Sequence, residues 1–439
     1  MDVIRSGCTH FIQQRPLSMN KLTSLIIPSV RKLKIYRMQV SNLFCILMMV
    51  MVSLNALAEP LVAEEVPEVF EGGVEFYCPE QNITALASDI NSYFNNLGIT
   101  AEQFYQFKSD DRHLLQLTLK DQRHLTDTLD LINRREFDLK EELVQLPSNT
   151  KEPKYVITVS RKEIVLSLLQ RGRVNKFSGR GCSMEALKDQ VGIRQNIVAW
   201  TDSVDWIWPN GHSAKWNRKY WSHGDLNPLH PLHEALSDIF IHPTKYSFGC
   251  YTAAKIVVLQ GIVDYYRRIK HDISTATLIE KRLAQDGIPL KHIEPGEMWF
   301  FESGFTPQDL NRQGKLLHLL KGIPSKNFVP GDWSYFLNTD QVTYRKTGYE
   351  GSNAIYLGRG KFDDFYNDNN HAYTYKEKLD EVYQWRNHVF SRSRDIAKIT
   401  PLTPKEIDLL SKTPDNGGLQ FDYRAVPYLF GFEELPEVN

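Results

Sequence analysis

The chain has 439 residues, 42% of them apolar and 24% charged, and a formal net charge of −1. That length has room for two or three domains and a sizeable core, and the composition is that of an ordinary globular protein. No basic excess is present across the chain, so no nucleic-acid partner is expected.

Arg31, Lys32, Lys34 and Arg37 precede an apolar run, Leu43-Phe44-Cys45-Ile46-Leu47-Met48-Met49-Val50-Met51-Val52, and Ala56-Leu57-Ala58 follows it. Basic, apolar and small-residue segments in that order predict a secretory signal over 1–58. The run is short for a bilayer, so no stable membrane span is expected once the signal is removed; a single N-terminal anchor is the other reading. The stretch before Arg31 is long for such a signal, and Met19 is an alternative start. Cleavage after Ala58 would place the mature chain in a secreted or periplasmic setting with Cys78, Cys182 and Cys250. In an oxidising compartment three cysteines suggest one disulfide and one free thiol, and Cys78–Cys182 is the expected pair.

Residues 59–73 are acidic and carry proline, as a linker does. A small accessory α+β domain is predicted over 74–178. Ile83, Leu86, Ile90, Tyr93 and Phe94 recur at helical spacing over 82–96, and Leu125, Leu129, Leu131 and Ile132 do so over 121–135. Strands are predicted at 114–119 and 155–160 and a helix at 161–171. His113 and His124 lie among charged residues and read as solvated.

A turn-rich boundary at 176–181 precedes a domain predicted over 179–398, with a first helix at 184–199. Residues 200–227 carry Trp200, Trp206, Trp208, Trp216 and Trp221, a density typical of a core or interface and compatible with the wall of a substrate channel. His230 and His233 raise the question of a metal. Pro228 and Pro231 break a helix through His230 and no second ligand pair follows, so a solvated or capping role is the reading and no metal is expected.

The most informative stretch is Tyr246-Ser247-Phe248-Gly249-Cys250-Tyr251-Thr252-Ala253-Ala254-Lys255-Ile256-Val257-Val258-Leu259. Gly249 permits a tight turn, and the apolar run after it suits a buried helix, although its β-branched residues also allow a strand. Cys250 would then sit at a helix N-terminus, where unpaired N–H groups and the helix dipole favour a thiolate. The competing reading is an inert buried cysteine. Helices are predicted over 252–270, 275–285 and 307–320, with an aromatic loop at 294–305. A Pro330-Gly331 turn leads to a strand at 333–337, and further strands follow at 348–358 and 371–375. An Asp/Asn-rich turn spans 363–370, a helix is predicted over 377–389, and the tail at 399–439 is expected to wrap the surface. The fold class is α+β.

Four words in this order, Asn196-Ile197-Val198-Ala199, Phe248-Gly249-Cys250-Tyr251-Thr252-Ala253, Gly331-Asp332 with Tyr335-Phe336-Leu337-Asn338, and Gly351-Ser352-Asn353-Ala354-Ile355-Tyr356-Leu357-Gly358, resemble the bacterial spore-coat transglutaminase family, the protein-glutamine γ-glutamyltransferases. The resemblance runs from about residue 183 to 390 and leaves out the N-terminal unit. It implies an NlpC/P60 (papain-like) core, with a nucleophile helix packed on an antiparallel sheet. It puts Cys250 in the nucleophile position. Two family carboxylates are replaced, one by Gly249 before the cysteine and one by Ser352 in the later strand. The family's histidine has one counterpart in the equivalent stretch, His371, which becomes the expected base, with Asp363, Asp364 and Asp368 before it. Glu350 shares a strand face with Ser352 and is the candidate substitute carboxylate. The catalytic candidates are therefore Cys250, His371, Glu350 and Ser352. The implied reaction is acyl transfer from a glutamine carboxamide to an amine, or deamidation, through a cysteine thioester. It needs no cofactor, and its partners are proteins carrying Gln and Lys. The same layout fits a cell-envelope cysteine amidase or peptidase acting on peptidoglycan peptides, and a catalytically inactive envelope binding protein. The oligomeric state is not indicated.

Overall fold

The computed structural model describes residues 72–79, 82–120, 137–171, 174–178, 181–209, 214–285, 328–338, 349, 351–366, 372–374, 377–378, 381, 403–406 and 419–424. The signal region, the elements expected at 121–135, 294–305 and 307–320, Glu350 and His371 lie outside these residues.

In chain order the first elements are β1 (Gly73–Tyr77), α1 (Ile83–Asn96), β2 (Phe104–Ser109), β3 (Leu114–Leu119), β4 (Glu142–Leu146), β5 (Lys154–Thr158), α2 (Arg161–Leu168) and β6 (Val174–Ser178). They form a four-stranded sheet of order β2-β3-β1-β6 and a separate β4–β5 ribbon. β1 runs parallel to β6 and antiparallel to β3. The helices start where side chains satisfy their first N–H groups. The Asn82 carboxamide accepts from the backbone N–H groups of Thr84 and Ala85 at 2.9 and 3.2 Å, and Ser160 Oγ accepts from that of Glu163 at 3.2 Å. α1 then buries Ile83, Leu86, Ala87, Ile90 and Phe94. β6 was not expected: it is an edge strand with one buried residue, Phe177, and carries too little alternation to stand out in the sequence.

The second half contains α3 (Met184–Thr201), the short hairpin β7 (Trp221–Ser222) and β8 (Asp225–Leu226), α4 (Leu232–Ile241), α5 (Cys250–Asp264), α6 (Ile273–Gln285), β9 (Trp333–Asn338), β10 (Gly351–Gly358), β11 (Lys361–Asp363), β12 (Ala372–Thr374) and β13 (Leu419–Arg424). The last five strands make one antiparallel sheet of order β12-β11-β10-β9-β13. Two of these differ from the sequence expectation. β11 lies between the strand expected to end at Gly358 and the turn expected from Asp363, where no strand was expected. The chain reverses there because Gly358, Arg359 and Gly360 all take positive φ (73°, 58° and 67°), a tight hairpin. Part of the tail pairs with β9 as β13 and covers an edge that would otherwise be open.

α5 is buried from Tyr251 through Val263, as a helix apolar on every side must be. α3, α4 and α6 pack against it, and so does β10 of the sheet. The approach of α3 is close: a Cβ on Gly261 would strike the Ile197 side chain and lie 3.0 Å from its Cα. Asn196 donates to the Gly261 carbonyl at 2.8 Å and to Asp264 at 3.0 Å. The Trp200 indole N–H also reaches Asp264, at 2.8 Å, and Arg268 donates to the same carboxylate. The matching word around Asn196 is thus a helix-to-helix clamp.

One hydrophobic cluster runs from Val74 to Tyr366, so the N-terminal sheet and the C-terminal helices share a core. A disulfide joins Cys78, just after β1, to Cys182, just before α3, both about 1% exposed, as the cysteine count suggested. At the turn into β9, the buried Arg194 guanidinium on α3 pairs with the buried Asp332 carboxylate at 2.8 Å and donates to the Pro330 carbonyl at 3.0 Å.

Both features have measurable consequences. Arg194→Ala takes the cation away from a carboxylate that stays buried, so urea unfolding is expected to show a loss of about 3–5 kcal/mol; a change below about 1 kcal/mol would show the pair to be dispensable. Replacing Cys78 and Cys182 together by Ser opens a covalent loop with a sequence separation of 104 residues. The expected loss is about 2–5 kcal/mol, read as a lower melting temperature than that of the oxidised protein. Equal melting temperatures would contradict it.

Candidate active site

The loop before α5 is held on all sides by rings. Phe248 packs against Trp206 and Trp216, with ring centres 4.9 and 5.4 Å apart, and the Tyr366 hydroxyl donates to the Phe248 carbonyl at 2.8 Å. Ser247 bridges to Ile207 and to Lys215. The Tyr246 hydroxyl donates to Asp238 at 2.6 Å; burial, and then that carboxylate, push its phenol far above the usual range, which leaves it a neutral donor. The Trp-rich segment is therefore a clamp on the residues that deliver Cys250.

Cys250 is the first residue of α5, after Gly249 in extended conformation (φ −72°, ψ 160°). It is a free thiol, partly exposed at the edge of the core. Ala253 makes the first intrahelical bond, to the Gly249 carbonyl at 3.0 Å, so the N–H groups of the preceding turn lack intrahelical acceptors.

The sulfur meets β10. Asn353 approaches Sγ with its backbone N–H at 3.5 Å and its side-chain amide at 3.4 Å. Both atoms are N–H donors, and Sγ is the acceptor. Among the described residues β11 pairs with β10 only from Ile355 onward, so the Asn353 backbone N–H is not taken by that pairing. The Asn353 carboxamide is oriented by the Trp333 indole N–H, which donates to its Oδ1 at 2.9 Å. Trp333 in turn packs on Tyr251, one residue after the cysteine. Asn353 lay within a motif word of the sequence, but the reading there turned on its neighbour.

That neighbour, Ser352, is fully buried and belongs to a different polar group. Its Oγ donates to Asp364 at 3.1 Å, and Asp364 pairs with Lys378 at 2.8 Å. Successive side chains of a strand point to opposite faces, so Ser352 and Asn353 separate as the pleat requires. The structure brings Cys250 and Asn353 together and puts Ser352 with Asp364; Glu350 and His371 fall outside the described residues. Both hydrogen bonds to Sγ come from donors, and no His or carboxylate bonds it among the described residues.

The histidines of this region have other partners. His233 pairs with Glu280 at 3.0 Å, His242 with Asp238 at 2.8 Å, and His230 lies against the Tyr220 ring. Among the described residues no cluster of three or more His, Cys, Asp or Glu side chains could hold a metal ion, and no helix is long and apolar enough to cross a membrane.

Comparison with known proteins adds the family. Residues 143–387 match the family model described as "TGL: Protein-glutamine gamma-glutamyltransferase", and this span contains Cys250, Asn353 and the Asp364–Lys378 pair. The match begins within the segment assigned to the accessory domain. Among solved structures the chain is similar to "Transglutaminase from Geobacillus stearothermophilus (without C-terminal extension)", at 20% identity and a TM-score of 0.34, over 48% of this chain and 89% of that one. No curated protein gives a significant match.

An N–H aimed at a sulfur holds it in place by a hydrogen bond as it attacks. Asn353→Ala deletes one of the two donors. Its Cys250 is expected to be alkylated by iodoacetamide several-fold more slowly than that of the parent protein at neutral pH, in a timed mass-spectrometric assay. Unchanged or faster labelling would remove Asn353 from the site.

Proposed function

Because this chain belongs to the protein-glutamine gamma-glutamyltransferase family, an enzyme family of acyl transfer, we propose that it acts through Cys250 on glutamine side chains of proteins. The observation that carries the assignment is the thiol itself, free, partly exposed, first in a buried helix and faced by two N–H donors.

The Cys250 thiolate attacks the γ-carboxamide carbon of a substrate glutamine. The tetrahedral oxyanion is held by N–H groups of the first turn of α5, with Asn353 beside them. The amide nitrogen takes up a proton and leaves as ammonia, and a thioester remains. A lysine amine then opens it to an isopeptide, or water opens it to glutamate. His371 is our candidate for the proton carrier, with Glu350 as its partner; both roles rest on the sequence. The wall of rings around Phe248 helps to keep water from the acyl-enzyme, which favours the amine. This chemistry requires neither metal nor cofactor. A papain-like course of the chain around the site fits the order helix, then antiparallel sheet. A secreted or periplasmic location is part of the proposal, supported by the signal-like N-terminus and by a buried disulfide.

A second reading has its own support. Gly249 and Ser352 stand where the resemblance leads one to expect carboxylates, and donors alone bond the sulfur among the described residues. The same thiol could then serve a cysteine amidase acting on peptidoglycan peptides, or survive on a scaffold that only binds.

One assay separates the three. Purified protein is incubated with a fluorescent primary amine and a glutamine-rich acceptor protein, and in parallel with muropeptides. Transfer predicts amine incorporation that falls to background in Cys250→Ala. Muropeptide cleavage without incorporation favours the amidase, and neither activity favours the binding scaffold.

A further inference from the structure

Behind β10, away from the thiol, lies a group of charges that the acyl-transfer chemistry does not use. Lys378 Nζ is 2.8 Å from Asp364 Oδ2 and 2.7 Å from Glu381 Oε2. All three side chains are at most 1% exposed. Ser352 Oγ donates to the same Asp364 oxygen at 3.1 Å. The Tyr373 ring centre lies 4.4 Å from Nζ, and Phe362 and Phe336 extend the aromatic wall beyond it.

An amine, a carboxyl group and a second carboxylate fixed in a dry aromatic pocket are the parts of an amide-forming reaction. We propose that Lys378 and Asp364 condense to an intramolecular isopeptide bond, with Glu381 carrying the protons. The Nζ–Cγ bond forms and the Cγ–Oδ2 bond breaks. Nζ gives up two protons, relayed by Glu381, and both end on the departing oxygen. An ammonium and a carboxylate become a neutral amide and one water; nothing is oxidised or reduced, and Glu381 ends as it began. Ser352 hydrogen-bonds the oxygen that departs and holds it in place beside Nζ.

Two physical terms favour the step. The reactants are already in contact, so the loss of freedom that makes amide formation slow between separate molecules has been met by folding. Burying the Lys378–Asp364 pair costs desolvation, whereas the amide that replaces it is uncharged and its N–H can donate to the Glu381 carboxylate, which stays. The result would be a covalent brace between Asp364, just after β11, and the helical residues Glu377 and Lys378. It differs from the family reaction in its bond chemistry: the acyl donor is a carboxyl group that releases water, not a carboxamide that releases ammonia. It does not depend on Cys250.

Tryptic peptide mapping of the purified full chain tests it directly. An unlinked chain is cut after Lys361, Lys376 and Lys378 and yields the linear peptide 362–376. The linked chain keeps 362–376 joined to 377–386, because Lys378 is no longer a cleavage site, and the branched product is lighter than its two parts by one water. Recovery of linear 362–376 as the main product from the native protein overturns the proposal. The link should be present in Cys250→Ala; its loss there would assign it to the enzyme's own transfer activity and also overturn the proposal. Glu381→Gln keeps the side-chain shape and should return most of the linear peptide, and persistence of the link there would remove Glu381 as the proton carrier.

Discussion

The architecture follows from one constraint: α5 has no polar face. A helix apolar on all sides is stable in water only when covered all round, so the chain must supply helices on one flank and a sheet on the other. α3 comes close enough to touch backbone at Gly261, and β10 covers part of the remaining surface. The first residue of such a helix is where the cover ends. Cys250 therefore lies at the rim of the core, at the start of a helix buried from Tyr251 to Val263, and is still partly open to a substrate. Precise placement of a nucleophile on a rigid element is what proximity catalysis needs.

Buried polar groups do the aligning that apolar packing cannot. Hydrophobic contact is nondirectional, and a smooth helix can slide or rotate against its neighbours. Asn196, Trp200 and Arg268 converge on Asp264 near the C-terminal end of α5, while Asn353 meets its N-terminus. Arg194 and Asp332 tie the turn into β9 to α3. Glu163, on α2, accepts from the Arg359 backbone N–H at the β10–β11 hairpin, and Asp202 binds the guanidinium of the same residue. The N-terminal part of the chain thus helps to set the strand that faces the thiol. This agrees with a family match that starts well before the nucleophile.

The two sides of β10 carry different chemistry. One side presents the Asn353 amide to sulfur, and the other joins Ser352 to Asp364 and Lys378. Where the family resemblance implies a carboxylate beside the nucleophile, this chain has a serine whose hydroxyl engages the Asp364 carboxylate, just after the next strand. The negative charge is still in the neighbourhood, one hydrogen bond further from the strand than a glutamate at 352 would have put it.

Local patterns carry the parts of the fold that depend on near neighbours. Asn82 and Ser160 announce helix starts because capping bonds span only a few residues, and the helix after Gly249 shows itself as a mostly apolar run of good helix length, interrupted at Lys255 and Gln260. The cysteine count singles out Cys250, and the order of four short words was enough to indicate the family. Packing alone decided which way β10 faces. All eight of its residues are buried, so the polar and apolar alternation that would phase a strand is missing, and Ser352 and Asn353 look equally suited to the thiol. The meeting of Asp364 with Lys378 and Glu381, the pairing of β13 with β9, and the core shared by the two halves all join residues distant in the chain. Many such pairings suit the same local pattern, and only the simultaneous filling of one interior selects among them.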